Sequence, residues 1–255
     1  MQKIRIAVIP AAGRNSRMQN IPLSKILPKP MMPILNKPIL HYIVEMLIKN
    51  EVYNLYFIVN NKKELIEGYF GDGKEYGVSI KYIYQEELHG IGHAVSLTEQ
   101  FITEPFLVIL GDTFIPELDL EPIINIFFER KALAVEAIVR ETNHEALTRS
   151  CNVEIGPGNK IEKLIEKPTN PSTEIRGTGI YLFDPKIFEF IKIQKESNIR
   201  NEIEITDTLN SIAKLGRCYG VELKIPDINI NTADELIRAT EYMLSRVHIP
   251  LKGVP

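Results

Sequence analysis

Residues 4–18 read Ile4-Arg-Ile-Ala-Val-Ile-Pro10-Ala-Ala-Gly13-Arg-Asn-Ser-Arg17-Met18, an apolar run that breaks into a small-residue turn carrying two arginines. Ile4–Ile9 has the length and β-branched content of a buried strand. Beyond Pro10, Gly13 is free to adopt positive φ and Asn15 tolerates it, so the backbone of residues 12–15 can aim several N–H groups at one point. Such a turn cradles phosphate oxygens, and Arg14 and Arg17 would add charge-assisted contacts. The segment is not a P-loop, because G-x-x-x-x-G-K followed by Ser or Thr occurs nowhere, and the dinucleotide fingerprint G-x-G-x-x-G is incomplete. A plain strand-to-helix turn would account for Gly13 alone. It does not account for the basic residues around it.

Those residues belong to a wider asymmetry. The 255-residue chain has a net charge of −3, yet residues 1–44 hold seven basic side chains (Lys3, Arg5, Arg14, Arg17, Lys25, Lys29 and Lys37) and no acid, leaving −10 for the remainder. A weakly acidic chain with a basic start suits a small anionic ligand better than a broad nucleic-acid face. The stretch Leu27-Pro-Lys29-Pro-Met-Met-Pro-Ile-Leu-Asn-Lys37-Pro38 is too proline-rich for a helix and predicts an extended loop that carries Lys29 back over the first turn.

Further along, Leu55–Val59, Ile80–Tyr84, Phe106–Leu110 and Val135–Val139 read as buried strands. Ile39–Lys49, Lys62–Phe70, His93–Phe101 and Leu120–Phe128 show helical spacing of apolar residues between them. The alternation predicts an α/β fold: a Rossmann-like, mainly parallel mixed sheet flanked by helices, with ligands beyond the carboxyl ends of the strands. After residue 140 the pieces shorten. Asn152–Ile155 and Ile161–Ile165 predict a hairpin across Gly156-Pro-Gly-Asn159, followed by a 167–173 loop, a Gly179–Phe183 strand and a helix near Pro185–Ile193. Thr232-Ala-Asp-Glu235 fits a capping box opening a last helix, Asp234–Val247. A single domain, 1–255, with halves 1–140 and 141–255, is expected.

Cys151 and Cys218 lack metal-ligand spacing and read as free thiols. No apolar run approaches the ~18 residues that span a bilayer, and the start lacks a signal-like segment, so a cytoplasmic protein without membrane or nucleic-acid partners is expected. A homo-oligomer is compatible with the chain.

Three other places could carry chemistry. Phe106-Leu-Val-Ile-Leu-Gly111-Asp112 ends a strand in a carboxylate at the sheet's carboxyl edge. A Mg²⁺ ion between phosphates needs only one or two protein oxygens, although a strand-end Asp can also simply cap a turn. Gln85, at another strand end, offers the donor and acceptor that match the imide edge of uracil or thymine, and Gly90 and Gly92 would let backbone approach a flat base. The five histidines form no triad or metal pattern.

Together the segments resemble the sugar-1-phosphate nucleotidyltransferases, in particular the bacterial UTP–glucose-1-phosphate uridylyltransferases and dTTP–glucose-1-phosphate thymidylyltransferases. The family's G-x-G-T-R loop corresponds to Gly13-Arg-Asn-Ser-Arg17, and its P-K-x-x-x-P loop to Pro28-Lys29-Pro-Met-Met-Pro33 followed by Lys37-Pro38. Gln85 with Gly90-Ile-Gly-His-Ala-Val95, Leu110-Gly-Asp112, Ile165-Glu166-Lys167-Pro168, Gly177-Thr-Gly179, Arg200-Asn-Glu-Ile-Glu-Ile-Thr206 and Asn229-Ile-Asn-Thr232 follow in the family's order.

The resemblance implies a nucleotide-diphospho-sugar transferase fold, with residues 1–140 binding nucleotide and a small β-rich lobe in residues 141–255 binding sugar phosphate. It implies Mg²⁺-dependent transfer of a nucleotidyl group from a pyrimidine NTP to a sugar 1-phosphate, with UTP and glucose 1-phosphate favoured and dTTP the alternative. Arg17 and Lys29 would be catalytic; Ala12, Gly13, Arg14, Asn15, Gln85 and Gly90 would bind nucleotide. Glu166, Lys167, Gly179 and Arg200 would bind the sugar phosphate, and Asp112 and Asn229 the metal. Three positions depart from the pattern: Asn15 replaces a glycine, Asn229 stands where many relatives have Asp, and Cys151-Asn152 replaces a glycine typical of thymidylyltransferases near the sugar. A catalytically silent sensing module on the same fold would be expected to lose the loop arginine, the lysine or the strand-end Asp. All three are present.

Overall fold

Nine strands form the central sheet of the computed structural model, which describes residues 2–13, 21–194, 202–224 and 228–246. In chain order they are β1 (Ile6–Pro10), β2 (Asn54–Val59), β3 (Ser79–Tyr84), β4 (Phe106–Ile109), β5 (Ala134–Arg140), β6 (Cys151–Ile155), β7 (Ile161–Glu166), β8 (Ile175–Phe183) and β9 (Cys218–Glu222). Across the sheet the order is β3-β2-β1-β4-β8-β5-β9, and the antiparallel hairpin β6–β7 branches from β8. Pairs β1–β2, β2–β3, β1–β4 and β5–β9 are parallel, whereas β8 is antiparallel to both β4 and β5. The two reversals cancel, so six strands point the same way around one reversed strand. Their carboxyl ends therefore share one edge, where a doubly wound fold binds ligands.

Strand alternation builds two cores. Ala7, Ile9, Phe57 and Leu107 face helices α1 (Ile39–Lys49), α2 (Lys63–Phe70), α4 (Glu121–Glu129) and α8 (Ala233–Arg246) on one side. Ile6, Val8, Ile58 and Phe106 face α3 (Gly90–Ser96), α6 (Ile187–Ile193) and α7 (Ile205–Ala213) on the other. A strand buried on both faces needs apolar residues at every position, which is why β1 and β4 read as continuous apolar runs. The short α5 (His144–Thr148) precedes the hairpin, its N-cap Asn143 accepting a hydrogen bond from Ala146 N–H. No described helix is long and apolar enough to cross a membrane.

The structure revises several local expectations. Residues 27–38 are not simply extended: Lys29–Met31 forms a 3₁₀ turn, and Pro33–Ile34 pairs with Lys37–Pro38 as a two-residue ribbon. Proline is tolerated at the start of such a turn because its missing N–H is an orphan position anyway. The helix expected at His93–Phe101 starts at Gly90 and stops at Ser96, with a separate 3₁₀ turn at Glu99–Phe101. The strand expected at Gly179–Phe183 begins at Ile175, because a bulge between Gly177 and Tyr181 hides its alternation. The last helix begins at Ala233, and its expected end at Val247 lies outside the described residues.

Candidate active site

Two cavities open along the carboxyl edge and meet at Lys29 and Asp112. One, about 370 Å³, lies between the β1 end (Pro10–Gly13), Gln85 and Gly90. The other, about 280 Å³, lies over Cys151, Gly177, Gly179, Tyr181 and Asn229. Lys29, Asp112, Glu166, Lys167 and Glu204 line both.

Asp112 is set by three strand ends. Gly111 N–H donates to Pro10 O at 3.0 Å, and a Cβ on Gly111 would come within 2.9 Å of that oxygen, so only glycine lets β1 and the chain after β4 approach this closely. On the other side, Leu110 N–H donates to Gly179 O at 3.0 Å, and Gly179 has φ +81° with Leu110 2.8 Å from where its Cβ would be. Then Ile230 N–H donates to Asp112 O at 2.9 Å, joining Thr113–Phe114 to Ile228–Asn229 as a short antiparallel pair. This bridge brings Asp112 and Asn229 to one wall.

Lys29 reaches them from its 3₁₀ turn. Its Nζ forms an ion pair with Asp112 Oδ2 and donates to Asn231 Oδ1 at 2.8 Å, while Asn231 Nδ2 donates to Asn229 Oδ1 at 3.0 Å. The result is a chain of polar groups running from a cation to a carboxylate and two amides. One carboxylate and an amide oxygen are hard donors that suit Mg²⁺ when phosphate oxygens and water complete the octahedron.

On the wall of the first cavity, Gln85 is buried, and its backbone O accepts from Asn60 Nδ2. Its Nε2 lies 2.9 Å from His93 Nδ1 and 3.4 Å from Gly90 O, whereas no described residue donates to Oε1. The amide donor is therefore committed within the protein, which narrows the expected two-sided reading of a base to the acceptor. Gly90 and Gly92 also differ from expectation. Their close approach is to the 202–203 segment: Gly92 N–H donates to Ile203 O at 2.9 Å, and a Cβ on Gly90 would fall 2.8 Å from that oxygen.

The second cavity is floored by β8 and walled by the hairpin. Glu166, at the end of β7, accepts from Thr206 Oγ1 at 3.0 Å and pairs with Lys167 at 3.1 Å. Lys167 leaves the strand with φ +47°, its N–H donating to Ser150 O at 3.0 Å. Burial, with Glu136 and Glu166 nearby, raises the Cys151 thiol well above its ordinary range, so it stands as a neutral thiol. Glu136 itself is fully buried, and desolvation followed by the charge of Glu166 pushes its carboxyl up to about 8.

Of the residues expected to act, Ala12, Gly13, Lys29, Gln85, Gly90, Asp112, Glu166, Lys167, Gly179 and Asn229 all line this pair of cavities. Arg14, Asn15, Arg17 and Arg200 lie outside the described residues. The sequence reading assigned no role to Asn231, Glu204, His93 or Asn60. Asn231 sits within the quoted Asn229-Ile-Asn motif; the contacts of His93 and Asn60 with Gln85 depend on elements meeting in space and leave no mark in local spacing.

The nucleotidyl transferase family model matches residues 6–224. The chain is 35% identical over 247 residues to the bifunctional protein GlmU of Methanocaldococcus jannaschii and 32% identical over 249 residues to that of Methanococcus maripaludis, covering 97% of this chain and 56% of each relative. It thus spans little more than half the length of those relatives. Among solved structures it resembles a putative glucose-1-phosphate thymidylyltransferase from Bacillus anthracis (TM-score 0.84, 29% identity, 93% of this chain and 94% of that one). It also resembles a UDP-glucose pyrophosphorylase solved with UDP-glucose (TM-score 0.84, 26% identity, 96% of this chain and 100% of that one). The strand order with one reversed strand, the glycine-set Asp112 and these matches lead to one assignment: the chain belongs to the nucleotidyl transferase family.

Proposed function

We propose that the protein transfers a nucleotidyl group from a pyrimidine NTP, UTP in preference to dTTP, to a sugar 1-phosphate, with glucose 1-phosphate the favoured sugar, and releases pyrophosphate. The observation that carries this reading is the meeting of two cavities at one cation–carboxylate pair, Lys29 and Asp112. Nucleotide occupies the Gln85 side, where Oε1 accepts the imide N–H that uracil and thymine share, and residues 12–15 with Arg17 hold the triphosphate. Sugar phosphate occupies the Glu166 side, with Glu166 on sugar hydroxyls and Lys167 and Arg200 on its phosphate. A phosphate oxygen of the sugar 1-phosphate attacks the α-phosphorus in line, and the bond to the pyrophosphate oxygen breaks. The nucleophile is already an anion, so no general base is needed, and positioning with charge neutralisation supplies the rate.

Lys29 moves from Asp112 to the α-phosphate when substrates enter, while Asn231 keeps hold of its ammonium. Asp112 and Asn229 are the residues that would hold Mg²⁺, which would supply Lewis-acid charge neutralisation to the phosphates. The silent-sensor reading has no use for the partly buried Lys29–Asp112 pair. The deciding experiment is a panel of UTP, dTTP, CTP and ATP against several sugar 1-phosphates with Mg²⁺, reading pyrophosphate. Fastest release with UTP and glucose 1-phosphate is expected. Equal use of ATP, or no release with any pair, would contradict the reading.

A further inference from the structure

Glu136, on β5, is completely buried, and neither of its carboxyl oxygens has a hydrogen-bond partner among the described residues. Buried polar groups almost always have one, so an orphan of this kind marks either a cost or a use. Its position points to a use. Gly177 lines the sugar-side cavity, and a Cβ built on it would fall 2.0 Å from Glu136 Oε1. The carboxyl therefore fills the volume that any side chain at 177 would take, directly beneath the cavity floor. Tyr181 is its register partner on β8, and Tyr181, Cys151 and Glu166, all lining that cavity, are near enough for their charges to couple with its own. Glu166 is held by Thr206 and Lys167, whereas the capacity of Glu136 is unspent. An apolar side chain of similar size would fill this floor without any group to desolvate.

We propose that Glu136 is a specificity-determining residue of the sugar subsite, hydrogen-bonding past Gly177 to a donor group, hydroxyl or amine, on the ring of the sugar 1-phosphate. The proposal rests on the function proposed above. It also gives Gly177 a role, since any larger residue there would displace the carboxyl. A site built to bond a substrate donor discriminates strongly against analogues that lack it, because its own buried group is then left unpaired.

The test compares wild type, Glu136→Leu and Glu136→Gln in Mg²⁺-dependent turnover. KM and kcat are measured for the nucleotide, for glucose 1-phosphate, for glucosamine 1-phosphate and for deoxyglucose 1-phosphates lacking one hydroxyl each, with thermal melting in parallel. For Glu136→Leu, the sugar 1-phosphate KM should rise about 10- to 100-fold while the nucleotide KM stays within about two-fold and the melting temperature does not fall. Wild type should be sensitive to loss of one particular ring donor, and the Leu variant indifferent to it. An unchanged sugar KM and donor profile overturns the proposal, as does a lower melting temperature with unchanged sugar KM, which is what an enclosed water partner would give. Should the Leu variant not fold, Glu136→Gln carries the test: a change of about five-fold or more in preference between glucose and glucosamine 1-phosphate is expected, and no change overturns the proposal. Wild-type turnover with unaffected variants removes the Glu136 assignment alone. Absence of wild-type turnover with every pair removes the proposed function and this inference together.

Discussion

At the scale of single residues, the buried Glu136 carboxyl couples stability to pH. It is pushed up to about 8 from an ordinary 4.5, mainly by desolvation. Between those values the folded chain keeps a proton that the unfolded chain releases, so stability should fall as pH rises, by up to about 1.4 kcal/mol per unit, and level off above pH 8. The groups facing it are Glu166 from β7, Cys151 from β6, Tyr181 from β8 and Cys218 from β9; the two thiols and the phenol are raised and stay neutral across the window. Urea unfolding between about pH 5.5 and about pH 8.5 should show the slope in wild type and its loss in Glu136→Gln. The residue that matters here was invisible in sequence, because Val135–Val139 reads as a buried strand and nothing in its spacing says that the carboxylate inside it lies against Gly177 of β8. Lys29 and Asp112 were legible as chemistry, one as a cation and one as a metal ligand. Their direct pairing was not, since it spans 83 positions and depends on where the 3₁₀ turn points.

At the scale of elements, the parallel alternation was readable because strands buried on both faces are uninterrupted apolar runs and their crossover helices are amphipathic. Of the reversed strand β8 only Gly179–Phe183 was, for its bulge between Gly177 and Tyr181 breaks the two-residue period over the segment that grips Leu110 and Thr113. This grip predicts a contrast between two glycines. Gly179→Ala forces a side chain into φ +81° and against Leu110, and should cost about 1–3 kcal/mol and lower turnover by displacing Asp112. Gly68→Ala, in the exposed interior of α2 with open space around it, should stabilise by about 0.5–1 kcal/mol and leave turnover unchanged. Urea unfolding and steady-state assays on the two variants check both statements. The Gly90/Gly92 pair was read as making room for a base, yet the chain it admits is the 202–203 segment, and a sequence cannot say which of two neighbours a glycine makes room for.

At the scale of the whole molecule, the acid-free start of the chain turns out to be distributed. Lys3 pairs with Glu51 and Lys37 with Glu45, while Lys29 lines the cavities. Charge counting located a region; only the fold separates Lys3 and Lys37, tied to surface acids, from Lys29 at the cavity junction. The same view bears on the metal side, where the wall formed by the Asp112–Asn229 bridge carries one formal carboxylate. Asn229→Asp adds a second, and should tighten Mg²⁺ binding without nucleotide in a calorimetric titration; equal affinities would remove Asn229 from the metal set. The central claim is that Lys29 neutralises the reacting phosphate where the two cavities meet, and pyrophosphate release from a pyrimidine NTP and a sugar 1-phosphate with Mg²⁺, wild type against Lys29→Ala, tests it most directly. The account predicts steady release by wild type and a loss of about 10²–10³-fold in the variant with its melting temperature little changed. Near-full turnover by Lys29→Ala would contradict it.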